Sequence, residues 1–203
     1  YWRVLDDIDG QARHATQPVI GADEFFPAHN DAGITTLDSP FVFCAGTKNI
    51  KVSFNNYGYD TLKRVAVQWS LNGVAKTTYN WTGAIAPGGT SSSITLGNFA
   101  FLPNTAYTFK IWTSNPNLAL DGNRTNDTLK VTRYAGMSGT YTIGDTIIAN
   151  FRVFNQAITA LTERGICGPV TFNIYNGTYS EQLTLVQLPG MGLSNPVIFQ
   201  SIS

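Results

Sequence analysis

The chain has 203 residues, 43% of them hydrophobic and only 13% charged, with 13 basic residues balanced by 13 acidic ones. That length holds one or two domains. A neutral chain without a Lys/Arg cluster lacks the electrostatic footprint of a nucleic-acid binder or of a protein held on an anionic membrane. No apolar run approaches the ~20 residues that span a bilayer, so no membrane insertion is expected. Gly, Asn, Thr and Ser take the place of charge, and these residues serve turns and solvated strand faces better than helix surfaces. The composition therefore predicts an all-β chain.

Residues 1–33 are polar and irregular. They contain Asp6-Asp7-Ile8-Asp9-Gly10, Ile20-Gly21-Ala22-Asp23-Glu24 and both histidines, His14 and His29. Asp6, Asp7 and Asp9 resemble part of a calcium loop, although Gly10 is misplaced for the glycine such a loop requires. Turn formation is the alternative. A zinc site wants several His or Cys at short spacing, so the histidines read as solvated loop residues. The start at Tyr1-Trp2-Arg3-Val4 reads as internal to a longer protein.

Residues 34–134 form a series of short alternating runs. Ile50, Val52 and Phe54 alternate with Lys51 and Ser53; Val65, Val67, Trp69 and Leu71 with Ala66, Gln68 and Ser70; Tyr107, Phe109 and Ile111 with Thr108 and Lys110. A period of two sends one set to a core and the other to solvent. Turn signals separate the runs, among them Asn72-Gly73, Pro87-Gly88-Gly89, Pro103-Asn104 and Asp121-Gly122. Leu71-Asn72-Gly73-Val74 is a hairpin signal, because Asn-Gly accepts the positive φ angles of a type I′ turn. About seven strands at this spacing predict a β-sandwich, with Val52, Phe54, Val67, Trp69, Phe109 and Val131 in one core.

Residues 135–203 open with a strand at Gly139–Ile143 and continue with a helix over about Ile148 to Glu163. Phe151, Phe154, Ala157, Ile158 and Leu161 give that helix an apolar stripe, and Gly165 stops it. Strands are expected at Val170–Tyr175, Gln182–Val186 and Val197–Ser201, at a spacing that suits stacked solenoid coils. The last of them is expected to continue in a longer chain. Cys44 and Cys167 fall in different predicted modules and are read as two buried, unpaired thiols in preference to a bridge.

The middle segment resembles the CARDB-like, immunoglobulin-type modules of bacterial cell-surface proteins. The matching stretches are Asn49-Ile50-Lys51-Val52, Asn56-Tyr57-Gly58, Val67 through Gly73, Trp81-Thr82-Gly83 with Pro87-Gly88, and Asn123 with Asn126-Asp127. The third segment, through Asn150–Gly165, Gly168–Ile174 and Gly177–Glu181, resembles the opening of a pectin-lyase-like right-handed parallel β-helix, in which a short helix caps the first coil. Residues 7–13 and 20–24 resemble the closing tail of a β-helix in large Bacteroidetes surface proteins. These resemblances imply three parts: a β-helix tail or linker at 1–33, an immunoglobulin-like β-sandwich at 34–134, and a β-helix start with one capping α-helix at 135–203.

Catalytic chemistry is not evident. Cys167 lacks a base and reads as a small apolar residue entering a strand. Glycoside hydrolysis needs two facing carboxylates, and the candidates are Asp145, Glu163 and Glu181. Asp121, Asn123, Asn126 and Asp127 form an oxygen-rich patch that either builds turns or binds calcium. Of these, Asp121, Asn123 and Asp127 are the candidate metal residues, and calcium is the one ion considered. Asn80-Trp81-Thr82 and three similar triplets match the glycosylation sequon, which chance supplies in an Asn/Thr-rich chain. Trp69 is expected in the core. Trp81 and Trp112 fall at edges or on the solvent phase and are the candidates for carbohydrate contact, with strand-edge packing as the alternative.

The expectation is a non-catalytic structural or adhesive module, a spacer or presenter, of a modular bacterial protein that is secreted or on the outer cell surface. Its partners would be neighbouring modules of the same polypeptide, a surface polysaccharide or another surface protein. The alternative is a carbohydrate-binding accessory module of a secreted polysaccharide-degrading enzyme.

Overall fold

The computed structural model describes Asp6 and residues 28–202. Asp7, Asp9, His14 and the rest of the segment through residue 27 lie outside the described residues, as does Ser203. His29 is exposed, with Nδ1 3.3 Å from Asp60.

Alternation in the first part becomes two antiparallel sheets around one core. β1 (Ala32–Ser39), β2 (Gly46–Asn56) and β6 (Ile94–Phe101) form one sheet in the order β1-β2-β6. β3 (Leu62–Leu71), β4 (Val74–Ala75), β7 (Ala106–Ser114) and β8 (Thr128–Tyr134) form the second in the order β4-β3-β7-β8, with β5 (Tyr79–Ile85) also paired to β3. Lettered along the chain, this is A-B-E against C′-C-F-G, the strand order of an immunoglobulin-type sandwich. Val52, Phe54, Val67, Trp69 and Phe109 lie in the shared core, and Val131 packs against it half-buried. Asn72 (φ 49°) and Gly73 (φ 81°) supply the type I′ turn. Yet β4 is two residues long, and the Trp69 indole N–H donates to the Thr77 carbonyl (3.2 Å) where pairing lapses.

The second part has its own core. β9 (Met137–Ile143), β10 (Ile166–Ile174) and β11 (Val197–Ser201) make a parallel sheet in the order β11-β10-β9. The register is direct: Tyr141, Phe172 and Phe199 stand side by side, with Phe172 4.9 Å from Phe199 and 5.8 Å from Tyr141. Beside this aromatic ladder, Gln200 donates to Asn173 Oδ1 (2.8 Å). Helix α1 (Phe154–Arg164) lies between β9 and β10 in sequence and buries Ala157, Ile158, Ala160 and Leu161.

Two expectations are corrected here. The helix begins at Phe154, not near Ile148, because the preceding residues pair with β9. Asn150 N–H donates to Thr142 Oγ1 and Asn150 Oδ1 accepts from Thr142 N–H (both 2.9 Å), while Phe151 bridges to Ile143. No strand forms over residues 182–186, where Leu183, Leu185 and Val186 are exposed. An apolar run makes a strand only where a sheet edge accepts it, and the edge of β10 is taken by β11.

The cysteines also depart from the expected pair of unpaired thiols. Cys44 and Cys167 form a disulfide across 123 residues, between the β1–β2 connection and the start of β10. Around it the backbone is closely fitted. A Cβ on Gly136 would sit 2.4 Å from Cys167 Sγ, and one on Gly165 (φ 73°) would sit 2.5 Å from Val42. Gly136 N–H donates to the Phe43 carbonyl (2.8 Å), Met137 N–H to the Gly165 carbonyl (2.9 Å), and the Arg164 guanidinium covers the Tyr134 ring at 4.2 Å.

Glu181 explains how α1 is held without a local cap. Val153 at the N-cap supplies no side-chain acceptor. The Glu181 carboxylate instead accepts from Phe154 N–H (2.9 Å) and Asn155 N–H (2.8 Å). It satisfies two orphan donors and places a negative charge at the positive end of the helix. Replacing it by Ala is expected to cost about 1–2 kcal/mol, with Gln retaining part of that. Urea unfolding checks this, and an unchanged midpoint for Glu181→Ala would contradict the capping role.

Candidate functional site

The candidate residues lie around the segment that joins β7 to β8. Ser114-Asn115-Pro116-Asn117 turns tightly, and Asn115 (φ 52°), Asn117 (φ 52°) and Leu118 (φ 64°) all take left-handed backbone. Asparagine tolerates this conformation; leucine does so only at a cost. Asn117 clamps the turn. Its Oδ1 accepts from Lys63 N–H (2.7 Å), and its Nδ2 donates to Asn30 Oδ1 (2.8 Å) and to the Thr61 carbonyl (3.1 Å).

The clamp leaves three hollows along this end of the sandwich. One of about 330 Å³ is walled by Arg64, Asn80, Trp81, Thr82, Asn115 and Leu118, among others. A second, of about 540 Å³, shares Arg64 and Leu118 and adds Lys63 and Asp60. A third, of about 280 Å³, lies between Trp112, Asn115, Asp121, Arg124 and Asp127. Trp81 stands on β5 opposite Val65, half-buried, edge-on to Phe54 at 5.3 Å. A Cβ on Gly83 would come within 2.4 Å of its ring. Trp112 stands on the outer face of β7, paired with Gln68 and Thr128, with Lys110 Nζ 5.1 Å from its ring centre.

The oxygen-rich patch is turned largely on itself. Asp121 Oδ2 accepts from Ala32 N–H (3.1 Å) and Oδ1 from Asn123 N–H (2.9 Å). Asn123 Oδ1 accepts from Thr125 Oγ1 (2.6 Å), and Asp31 Oδ1 from Asn126 Nδ2 (2.8 Å). Each is a local side-chain turn or a tie between strands. Asn126 Oδ1 and one Asp127 oxygen are buried without a partner. Among the described residues no group of three or more His, Cys, Asp or Glu side chains is arranged to hold a metal ion.

Burial, then the charges of Asp121 and Asp31 and a hydrogen bond with Asp121, push Asp127 up to about 6, against partial relief from Arg124. Burial, with the Asp121 charge, also raises Asp31, while the Asn126 hydrogen bond opposes it. Three carboxyls at close quarters are thus eased by a proton on Asp127.

The carboxylates considered for glycoside chemistry have other surroundings. Glu181 caps α1, Asp145 faces Arg152 at 3.8 Å with both exposed, and Glu163 lies on the exposed last turn of α1. Sequence reasoning did not single out Arg64, Asn115 or Leu118, and it named Asn80 only within a glycosylation triplet. The asparagines of Ser114-Asn115-Pro116-Asn117 carried the one available signal, a tolerance of left-handed backbone.

No protein-family model matches the chain. No curated protein matches it either. Among solved structures it is similar to a domain assigned to a cell surface protein of Methanosarcina acetivorans. That match has TM-score 0.42 and 17% identity, and covers 51% of this chain and 89% of that one. It is also similar to a CARDB domain of Pyrococcus furiosus in complex with di-metal ions, with TM-score 0.38 and 17% identity, covering 54% of this chain and 91% of that one. A third is a chain of Bacteroides fragilis described as a β-galactosidase, with TM-score 0.30 and 15% identity, covering 74% of this chain but 25% of that one. What each of these proteins binds or cleaves is a property of that protein.

The shared proton has a consequence for stability. Asp127 holds its proton up to about pH 6 when folded and to about 3.8 when unfolded. A raised acid pKa contributes stability that is fully present below about pH 4 and lost as pH rises through 6. The loss is about 1–2 kcal/mol after solvent screening. Asp127→Asn is expected to raise the melting temperature at pH 7.5 and to flatten its dependence between pH 4 and 7. An unchanged profile, or loss of a calcium-dependent stabilisation seen in the unaltered chain, would contradict the shared-proton account.

Proposed function

We propose that this chain is a non-catalytic spacer or presenter in a modular bacterial protein of the outer surface or the secreted fraction. The observation that carries this reading is the junction between the two cores. A disulfide, a ring–guanidinium contact and close glycine packing are spent on holding one unit against the other. A spacer needs a set orientation between modules, whereas a catalytic site does not need it here. The bridge also fits an oxidising location, since disulfides persist outside the cytosol. No helix among the described residues is long and apolar enough to cross a membrane.

In the same reading, the in-register parallel sheet with its helix is the capped opening of a pectin-lyase-like β-helix. The sandwich, which takes in Ala32 and Gly33 through β1, is then a CARDB-like connector in a large surface protein of the Bacteroidetes type. Neighbouring modules of the same polypeptide are the partners. A second reading, a carbohydrate-binding accessory module of a polysaccharide-degrading enzyme, is favoured by one observation: the indole of Trp81 forms a wall of a surface hollow.

Incubating the chain with pectic, xylan and glucan polysaccharides tests the non-catalytic claim. No new reducing ends and no unsaturated uronates are expected. Product formation abolished by Asp145→Asn or Glu163→Gln would overturn it.

A further inference from the structure

We infer that the groove between β5 and the 115–118 turn is a binding site for a uronate-bearing oligosaccharide. The inference rests on the second reading above and assigns it a place and a ligand class. Three independent features meet there.

The first is a fixed aromatic wall. Trp81 is held edge-on to Phe54 and over Gly83, so its indole has little rotational freedom left to lose. A preset ring binds at lower entropic cost than a mobile one. Its exposed part offers an apolar face for the C–H side of a pyranose. Trp112, at the neighbouring hollow, instead carries Lys110 over its ring and stands on the outer sheet face.

The second is strain without local return. Leu118 holds φ 64° while the residue is 74% exposed, so burial within the chain does not offset the backbone cost. Such a residue persists because its surroundings hold it, here through the side-chain clamp of Asn117. The outcome is an apolar side chain presented at the wall that both hollows share.

The third is charge. Lys63 and Arg64 are exposed neighbours at the start of β3, and neither belongs to an ion pair among the described residues. Asp60, which lines the adjoining hollow, faces His29. Arg64 borders both hollows and can receive a carboxylate through its planar fork. Asn80 and Asn115 add donors and acceptors suited to hydroxyls. Apolar wall, carboxamides and a guanidinium without an ion pair among the described residues together match a uronate chain better than a neutral one.

Trigalacturonate and neutral galactotriose, titrated separately into the full chain and followed by amide shifts and calorimetry, test the inference. Trigalacturonate is expected to shift amides of Ala66, Asn80, Thr82 and Asn115, with affinity that weakens as NaCl is added. Arg64→Ala, at an exposed position, is expected to weaken it about tenfold. Trp81→Phe, which keeps the core contact, is expected to weaken both sugars. Equal binding of the two sugars with no effect of Arg64→Ala would overturn the uronate assignment and leave the carbohydrate reading standing. Shifts centred on Trp112 would overturn the site. No binding of either sugar would overturn both the inference and the reading beneath it.

Discussion

The Cys44–Cys167 bond is the constraint on which the rest of the molecule depends. It closes a loop of 123 residues, and in the chain-entropy description a loop of that size is worth about 5 kcal/mol against the unfolded chain. Its position matters more than its size. Cys44 belongs to the connection between two sandwich strands, while Cys167 opens the second strand of the parallel sheet. The bond therefore joins two cores that share no strand. A Cβ on Gly136 would meet the disulfide sulfur of Cys167, and one on Gly165 would meet the Val42 side chain. The Arg164–Tyr134 contact then resists rotation about the crossing point.

Each core explains its own half of this arrangement. The sandwich closes on Phe54, Trp69, Phe101 and Phe109, with the Asp38 carboxylate tying its outer sheet. Burial alone would raise Asp38. Hydroxyls of Ser93, Thr36 and Ser53 at 2.5–2.7 Å and the Lys51 charge outweigh burial and lower it. The parallel sheet closes on Tyr141, Phe172 and Phe199, with Glu181 reaching back to cap α1. Without the cap, a helix of 11 residues with no local N-terminal acceptor would fray at the face it presents to that ladder. The groove beside Trp81 sits on the unit with the larger buried core.

Much of the sandwich was legible because alternation reports directly on a half-buried strand. Val52, Phe54, Val67, Trp69 and Phe109 could be named from period alone, and Asn72-Gly73 from its turn chemistry. The second unit was less legible. Phe151 continued the helical period and so extended the expected helix, yet Asn150 and Thr142 offered the backbone a competing pairing. Leu183 and Leu185 had strand composition but no sheet edge to join. The disulfide left no trace at all, since a separation of 123 residues says nothing of distance in space. At the candidate site, composition marked the tryptophans but not their faces. Trp81 leans into the core from an edge strand, and the residues that shape its groove become neighbours only through the left-handed turn at Asn115–Leu118.

Whether the two units are one rigid body is the central claim. Amide ¹⁵N relaxation across the whole chain measures it directly, by giving a rotational correlation time for residues 32–135 and another for residues 137–201. A single shared value with the disulfide intact, separating into two on reduction, is the result expected of a junction locked by Cys44 and Cys167. Two different values in the oxidised protein would show that the units tumble independently, and would contradict the account.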